Sequence, residues 1–171
     1  MLCILPFEKE YYQTKWNWNV EYVGHPLVEV IEEYTKTEGR IKEIGDRNLL
    51  STYNKKIIAL LPGSRKQEIT KKLPIMLEVS KTFPNYQFVV AQAPGQDDDF
   101  YKPFLQPYNN VSTIKNNTYQ LLMQSTAALV TSGTATLETA LFAVPEVVCY
   151  KGSNISYQIA KRLIKIKYIS L

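Results

Sequence analysis

The chain has 171 residues, of which 45% are hydrophobic and 21% charged, with a formal net charge of +4. This composition is typical of a soluble globular protein of about one domain, and it excludes the intrinsically disordered class. The basic residues are scattered along the chain, so the charge does not indicate nucleic-acid binding, and no apolar run reaches the ~20 residues of a membrane-spanning helix.

Short apolar runs alternate with segments of helix length. The predicted strands are 2–5, 20–23, 56–61, 86–92, 111–114, 127–131 and 146–150. The predicted helices are 66–82, 98–106, 117–125, 134–143 and 154–165. Because most strands are continuous apolar runs separated by helices, the pattern predicts an α/β fold: a Rossmann-like parallel sheet with helices on both faces.

The beginning of the chain departs from this alternation. Residues 1–26 predict a strand, a helix and a second strand that ends at Gly24-His25-Pro26, and residues 27–55 are polar and mixed. A polar, charged stretch of this kind is typical of a connection between domains. We therefore predict three parts: residues 1–26, a connector with the start of a second domain at 27–55, and a Rossmann-like domain at 56–171.

The loop "LLPGSRKQEI" follows the strand 56–61. Gly63 permits a tight turn or a close backbone approach, and Ser64 with Gln67 fits a helix capping box. A capping box does not explain Arg65 and Lys66, since cations in a first helical turn oppose the helix dipole. An anion at the helix N-terminus removes that conflict, so the loop predicts a phosphate site at Gly63, Ser64 and Arg65.

The loop "TSGTATLE" follows the strand 127–131 and consists mainly of small or hydroxylated residues. We predict that these residues let a diphosphate approach a second helix N-terminus: Ser132, Gly133, Thr134, Ala135 and Thr136. Ser132 or Thr134 could instead be simple N-caps. Glu138 has no capping partner at Ala135, so it either favours the positive end of the helix or accepts hydrogen bonds from ribose hydroxyls.

A third loop, at 115–120, follows the strand 111–114. Asn116, Asn117 and Thr118 either cap a helix or lie near a nucleotide base. The aspartates at 97–99 are typical of a solvated helix start, and the single histidine and two cysteines lack metal-site spacing. We expect no metal and no other cofactor.

At these motifs the sequence resembles the lipid-A-disaccharide synthase family. The resemblance rests on "ILPFEKEYY", "VEYVGHPL", "IALLPGSRKQEI", "TSGTATLETALFAVPEVVCYK" and "IAKRLIKIKYISL", in family order from Cys3 to Leu171. It implies a GT-B glycosyltransferase, in which two Rossmann-like domains face each other across a cleft. Residues 1–26 would be the tail of the acceptor domain, and residues 56–171 the UDP-sugar-binding domain, truncated at its C-terminus.

The resemblance also implies a reaction and its partners. The family transfers 2,3-diacylglucosamine from its UDP derivative to 2,3-diacylglucosamine 1-phosphate, forms a β-1,6 linkage with inversion and releases UDP. Arg65 would stabilise the leaving group, Glu138 would hold the ribose, and the 115–118 loop would lie near the uracil. The general base would belong to the acceptor domain, so we expect no catalysis by this chain alone.

The family further implies a cytoplasmic protein peripheral to the inner membrane. Segments 1–25 and 154–171 could expose apolar surface and drive self-association. Two other interpretations stay open from the residues. One is another UDP-sugar enzyme of the same architecture, such as a UDP-N-acetylglucosamine 2-epimerase, and the other is a non-catalytic α/β binding module.

Overall fold

The computed structural model describes residues 1–44 and 54–150. The predicted helix 154–165 lies outside these residues, as do part of the predicted connector and the end of the predicted second domain. The chain divides into two compact units, Met1–Asn48 and Leu49–Leu171. The assignment of residues 1–26, 27–55 and 56–171 to particular domains stays a prediction.

Residues 1–44 of the first unit form two short strands and two helices. These are β1 (Leu2–Cys3), α1 (Pro6–Trp16), β2 (Glu21–Tyr22) and α2 (Pro26–Ile44). The two strands pair in parallel. Helix α1 begins with a proline, whose fixed φ suits a first helical position, and Glu8 accepts the backbone N–H of Leu5 at 2.9 Å.

The sequence interpretation missed helix α2, because the charged stretch after Pro26 looks like a connector. Pro26 occupies the first position of the helix, where its missing N–H costs nothing. His25 Nδ1 accepts the N–H of Leu27 at 3.2 Å, which satisfies one of the donors at the helix start.

Residues 54–150 of the second unit form a five-stranded sheet with helices. Its strands are β3 (Lys56–Leu61), β4 (Tyr86–Gln92), β5 (Val111–Lys115), β6 (Ser125–Thr131) and β7 (Glu146–Cys149). Its helices are α3 (Lys66–Thr82), α4 (Asp98–Leu105), α5 (Thr118–Gln124) and α6 (Thr134–Leu141). The strand order is β5-β4-β3-β6-β7, and every neighbouring pair is parallel. The predicted Rossmann-like α/β fold is confirmed.

Two hydrophobic clusters cover the two faces of this sheet. One joins Leu61 and Val130 to Leu121 of α5, and the other joins Leu60 and Phe88 to helices α3 and α4. Alternate residues of β3, β4, β5 and β6 enter opposite clusters, because successive side chains point to opposite faces of a sheet. Strands β3 and β4 are therefore buried on both sides, which explains their continuous apolar sequences, whereas Val147 of the edge strand β7 is 62% exposed.

The strand order places a topological switch at β3. From β3 the chain passes to β4 and β5 on one side, and then returns to β6 and β7 on the other. In open parallel sheets, ligands bind at the carboxyl ends of the strands beside such a switch. The loops after β3 and β6, which carry most of the predicted site residues, meet at this position.

Candidate functional site

A cavity of about 510 Å³ lies at the carboxyl edge of the five-stranded sheet, entirely within the second unit. Three strand-following loops form most of its wall. The lining consists of residues 61–65 with Glu68 after β3, residues 91–94 after β4, residues 131–135 after β6, and Thr118 and Glu138. A pocket with convergent polar groups at a switch point is the arrangement typical of ligand sites in this fold.

The cavity brings together most of the predicted site residues. Those that line it are Gly63, Ser64, Arg65, Thr118, Ser132, Gly133, Thr134, Ala135 and Glu138. Asn116, Asn117 and Thr136 are not among its lining residues. The roles given to all of these residues remain predictions, but their common location follows from the fold.

The loop after β3 leads into its helix at the predicted residue, but the cap differs from the prediction. Helix α3 begins at Lys66, and Arg65 holds the N-cap position without a side-chain capping bond. The prediction of Ser64 as N-cap in a capping box with Gln67 is therefore wrong. Gly63 has φ +109°, a left-handed conformation that glycine adopts without a steric penalty, and this turn places Ser64 before the cap.

Arg65 has an acidic neighbour that the sequence interpretation did not weigh. Its Nη1 lies 3.5 Å from Oε1 of Glu68, and the arginine side chain is 83% exposed. An acid in the first turn satisfies the helix dipole, so part of the predicted conflict is resolved without a ligand. An exposed pair of this kind is weak, which leaves the guanidinium able to turn toward the cavity.

The loop after β6 has a glycine at its helix cap. Helix α6 begins at Thr134, and Gly133 occupies the N-cap with φ +151°. The alternative in which Ser132 or Thr134 is a simple N-cap is therefore wrong. Thr136, which is 1% exposed, donates its hydroxyl to the Gly133 carbonyl at 2.6 Å, so it supports the turn from beneath.

Glu138 lies one turn into α6, partly buried at the cavity wall. The Tyr119 hydroxyl donates to its Oε1 at 3.3 Å. Burial raises the pKa of the Glu138 carboxyl, and the Tyr119 hydrogen bond offsets part of that rise. Burial and the nearby carboxylate also raise the pKa of Tyr119. The pair holds an acceptor group at a fixed place in the cavity.

The loop after β5 shows a local role for its asparagines. Asn117 stands at the N-cap position of α5 without a side-chain capping bond, and its Nδ2 donates to the Lys115 carbonyl at 2.9 Å. Asn116 has φ +57°, a left-handed conformation that asparagine tolerates. Of the three predicted residues in this loop, Thr118 lines the cavity.

The sequence interpretation missed the loop after β4. Gln92 is 5% exposed and lines the cavity, and its Nε2 donates to Oδ1 of Asp98 at 2.9 Å. The Gln92 Oε1 atom and the Thr131 Oγ1 atom are buried without a hydrogen-bond partner. A polar residue at the end of the apolar run 86–92 was the available signal, since ligands bind where such strands end.

Neither a metal cluster nor a membrane span is found in the described part of the chain. Residues 1–44 and 54–150 contain no group of three or more His, Cys, Asp or Glu side chains placed to hold a metal ion. None of the helices in the same two ranges is both long and apolar enough to cross a membrane.

Comparison with known proteins identifies relatives along the whole chain. The family model described as "Lipid-A-disaccharide synthetase" matches residues 1–171. Proteins named lipid-A-disaccharide synthase are 37% identical in Syntrophus aciditrophicus, 35% in Sulfurihydrogenibium sp. and 37% in Coxiella burnetii. Each alignment covers 100% of this chain but only 45%, 47% and 44% of the relative. The chain thus spans less than half the length of these curated relatives.

A solved structure shares the fold. The UDP-GlcNAc 2-epimerase from Neisseria meningitidis, solved with bound UDP-GlcNAc, superposes with a TM-score of 0.59 over 82% of this chain and 41% of its own. At 18% sequence identity, this likeness shows the fold alone.

Proposed function

The chain belongs to the lipid-A-disaccharide synthetase family, and from this membership we propose that it forms the UDP-sugar-binding part of an inverting glycosyltransferase. The reaction transfers 2,3-diacylglucosamine from its UDP derivative to the 6-hydroxyl of 2,3-diacylglucosamine 1-phosphate and releases UDP. The observation that carries the proposal is the cavity at the switch point, where the N-termini of α3 and α6 meet a cation and a carboxylate.

The two helix N-termini would hold the diphosphate. The first N–H groups of a helix have no carbonyl partner within it and carry the positive end of its dipole. Gly133 at the cap of α6 leaves the approach to Thr134 and Ala135 open, since no atom lies within 4 Å of the position its missing Cβ would take. Departure of UDP concentrates negative charge on the diphosphate, and these donors are arranged to stabilise it.

Arg65 would add a mobile cation to this site. Its exposed pairing with Glu68 is weak, and a diphosphate offers a guanidinium two oxygens in a geometry that favours two parallel hydrogen bonds. In this proposal the arginine leaves Glu68 when UDP-sugar binds and stabilises the leaving group. Backbone N–H groups and the arginine then supply the charge stabilisation without a metal ion.

Glu138 would accept the hydroxyl hydrogen bonds of the ribose. Its carboxylate lines the cavity one turn beyond the cap of α6, and Tyr119 fixes one of its oxygens. Thr118 and the loop before it would then lie beside the uracil. The described residues offer no assigned general base, and the acceptor sugar and its deprotonation belong to another part of the full-length enzyme. We propose that this enzyme works in the cytoplasm at the membrane surface, where its acylated substrates reside.

The proposal is tested by assaying sugar transfer with a protein that contains this sequence and has the full length of its relatives. It should convert UDP-2,3-diacylglucosamine and 2,3-diacylglucosamine 1-phosphate to a disaccharide and UDP, measured by mass spectrometry. UDP-N-acetylglucosamine, which lacks the long acyl chains, is the matched control donor. Epimerisation of that control donor at C2, without any disaccharide from the acylated pair, would contradict the proposal.

A further inference from the structure

Two buried polar atoms on the cavity wall lack a partner. Gln92 and Thr131 are 5% and 4% exposed, and both line the cavity. The Oε1 atom of Gln92 and the Oγ1 atom of Thr131 accept or donate no hydrogen bond within the protein. Buried polar atoms in native proteins are nearly always paired, so a water or a ligand that enters the cavity supplies the bonds that these two oxygens lack within the protein.

Asp98 fixes which end of the Gln92 amide faces the cavity. A carboxylate only accepts hydrogen bonds, so the Nε2 end must point to Asp98 Oδ1, 2.9 Å away. The amide oxygen is then the group left over. It can accept a hydrogen bond but cannot donate one, and therefore it selects a ligand atom that carries a proton.

The register of the sheet shows how the two residues lie. Leu60 of β3 pairs with Val90 of β4, and Leu61 pairs with Val130 of β6. The first register, extended by two residues, puts Gln92 level with Pro62. The second, extended by one residue, puts Thr131 level with Pro62 on the other side of β3. Two strand spacings separate them by about 9–10 Å between Cα atoms.

Gln92 and Thr131 also point to the same face of the sheet. Alternation along β4 and β6 puts them with Val90 and Leu129, whose side chains belong to the cluster under α3 and α4. Pro62, which the register places between them, also lines the cavity.

We propose that Gln92 and Thr131 form a hydrogen-bonding subsite for a neutral, proton-donating part of the nucleotide sugar, separate from the diphosphate site. The inference rests on the proposed function and extends it to residues that no motif marks. An amide oxygen with a carboxylate behind it repels phosphate oxygens and attracts O–H or N–H groups. The donating group belongs either to the transferred sugar or to the nucleoside.

Isosteric substitution gives a test that separates binding from folding. Thr131→Val removes the hydroxyl at constant volume, and Gln92→Leu removes the amide while leaving Asp98 exposed to solvent. Since the hydroxyl is unpaired, Thr131→Val should leave the thermal stability of the free chain unchanged or higher. Each substitution should weaken binding of the probe UDP-N-acetylglucosamine by about threefold to tenfold in calorimetric titration.

Thr139→Val is the matched control. Thr139 is fully buried in the same unit, but its hydroxyl donates to the Ala135 carbonyl at 2.7 Å and it does not line the cavity. This variant should lose stability and keep the affinity of the wild-type chain.

Titration with UDP beside UDP-N-acetylglucosamine locates the donating group. Weakened binding of the sugar nucleotide alone places the group on the transferred sugar, and equal weakening of both ligands places it on the ribose or base. Wild-type affinity of both variants for both ligands would overturn the inference while leaving the proposed function in place. Loss of stability in Thr131→Val would overturn it too, because the hydroxyl would then have a partner in the free protein. A folded wild-type chain that binds neither ligand would contradict the proposed function itself and this subsite with it.

Discussion

The carboxyl group of Glu138 lines the cavity and also makes the stability of the fold depend on pH. Burial raises its pKa above the ordinary value of 4.5, so the folded chain holds this proton more strongly than the unfolded chain. The stability that this group contributes is therefore complete below the ordinary pKa and is lost as the pH rises through the raised pKa. A carboxylate whose ionisation lowers the stability of the fold is better explained by ligand binding than by a stabilising role at the start of helix α6.

Glu138→Gln should make the stability less dependent on pH. Glutamine does not titrate, so the melting temperature of the variant relative to wild type should increase as the pH is raised from about 4 to about 8. Tyr119→Phe, which removes the hydrogen bond that lowers the pKa of Glu138, should enlarge this loss of stability and extend it to higher pH. If the melting temperatures of wild type and Glu138→Gln instead changed in parallel across this pH range, folding would not perturb the pKa of the Glu138 carboxyl.

Gly63→Ala should destabilise the second unit by about 1–3 kcal/mol, because φ +109° strains any residue with a Cβ. The added Cβ would also lie 2.7 Å from Oε2 of Glu68, so the Glu68 carboxylate must move. Chemical denaturation measures the loss. Gly95→Ala is the control, since no positive φ and no atom within 4 Å oppose its Cβ, and equal effects at both glycines would contradict the account.

At the scale of elements, helix α4 holds the end of β4 in place. Tyr101 is fully buried, and its hydroxyl accepts the Ala93 N–H at 2.9 Å, directly after the strand. The adjacent Asp98 binds Gln92 from the first turn of the same helix. These two contacts fix the 92–98 loop against the cavity, although nothing in the sequence of the loop resembles a binding motif.

Tyr101→Phe should cost about 1–3 kcal/mol of unfolding free energy, since it leaves a buried backbone donor unpaired. Denaturant titration measures it. Tyr108→Phe is the control, because its hydroxyl bonds Glu78 at an exposed position where water can replace it. A loss as large for Tyr108→Phe as for Tyr101→Phe would contradict the role given to the Ala93 contact.

The sequence predicts those elements whose own residues determine them. The strands β3, β4 and β6 are buried on both faces, so each appears as a continuous apolar run that needs no partner to be recognised. Helix α2 was missed because its charged surface hides the pattern. The cap positions at Arg65 and Gly133 were also missed, since a capping side chain competes with backbone geometry that only the folded loop decides.

The same distinction holds for the site. Gly63 and Ser132 lie in loops that follow apolar strands, and Glu138 lies in the helix after the second loop, so the sequence predicted all three at the same edge of the sheet. Gln92 is an ordinary residue at the end of an ordinary strand, and only the register with β3 and the contact to Asp98 reveal its place. The arrangement of such residues depends on long-range pairing, which local patterns do not contain.

At the scale of the whole molecule, the cavity is formed by the second unit alone. Every residue that lines the cavity lies in the unit Leu49–Leu171. A shortened chain of residues 49–171 should therefore bind UDP with the affinity of the whole chain, measured side by side in calorimetric titrations. Loss of UDP binding by a shortened chain that keeps its helical circular dichroism would show that Met1–Asn48 contributes to the site.

The measurement that tests the central claim most directly is calorimetric titration of the whole chain with UDP, with and without magnesium. We predict equal affinity under both conditions and a loss of at least about tenfold for Arg65→Ala and for Glu138→Ala. Lys66→Ala is the matched control, since it removes the neighbouring positive charge, which lies over the Phe100 ring and outside the cavity lining. A folded chain that binds no UDP, binds it only with magnesium, or loses affinity equally in Lys66→Ala would contradict the account.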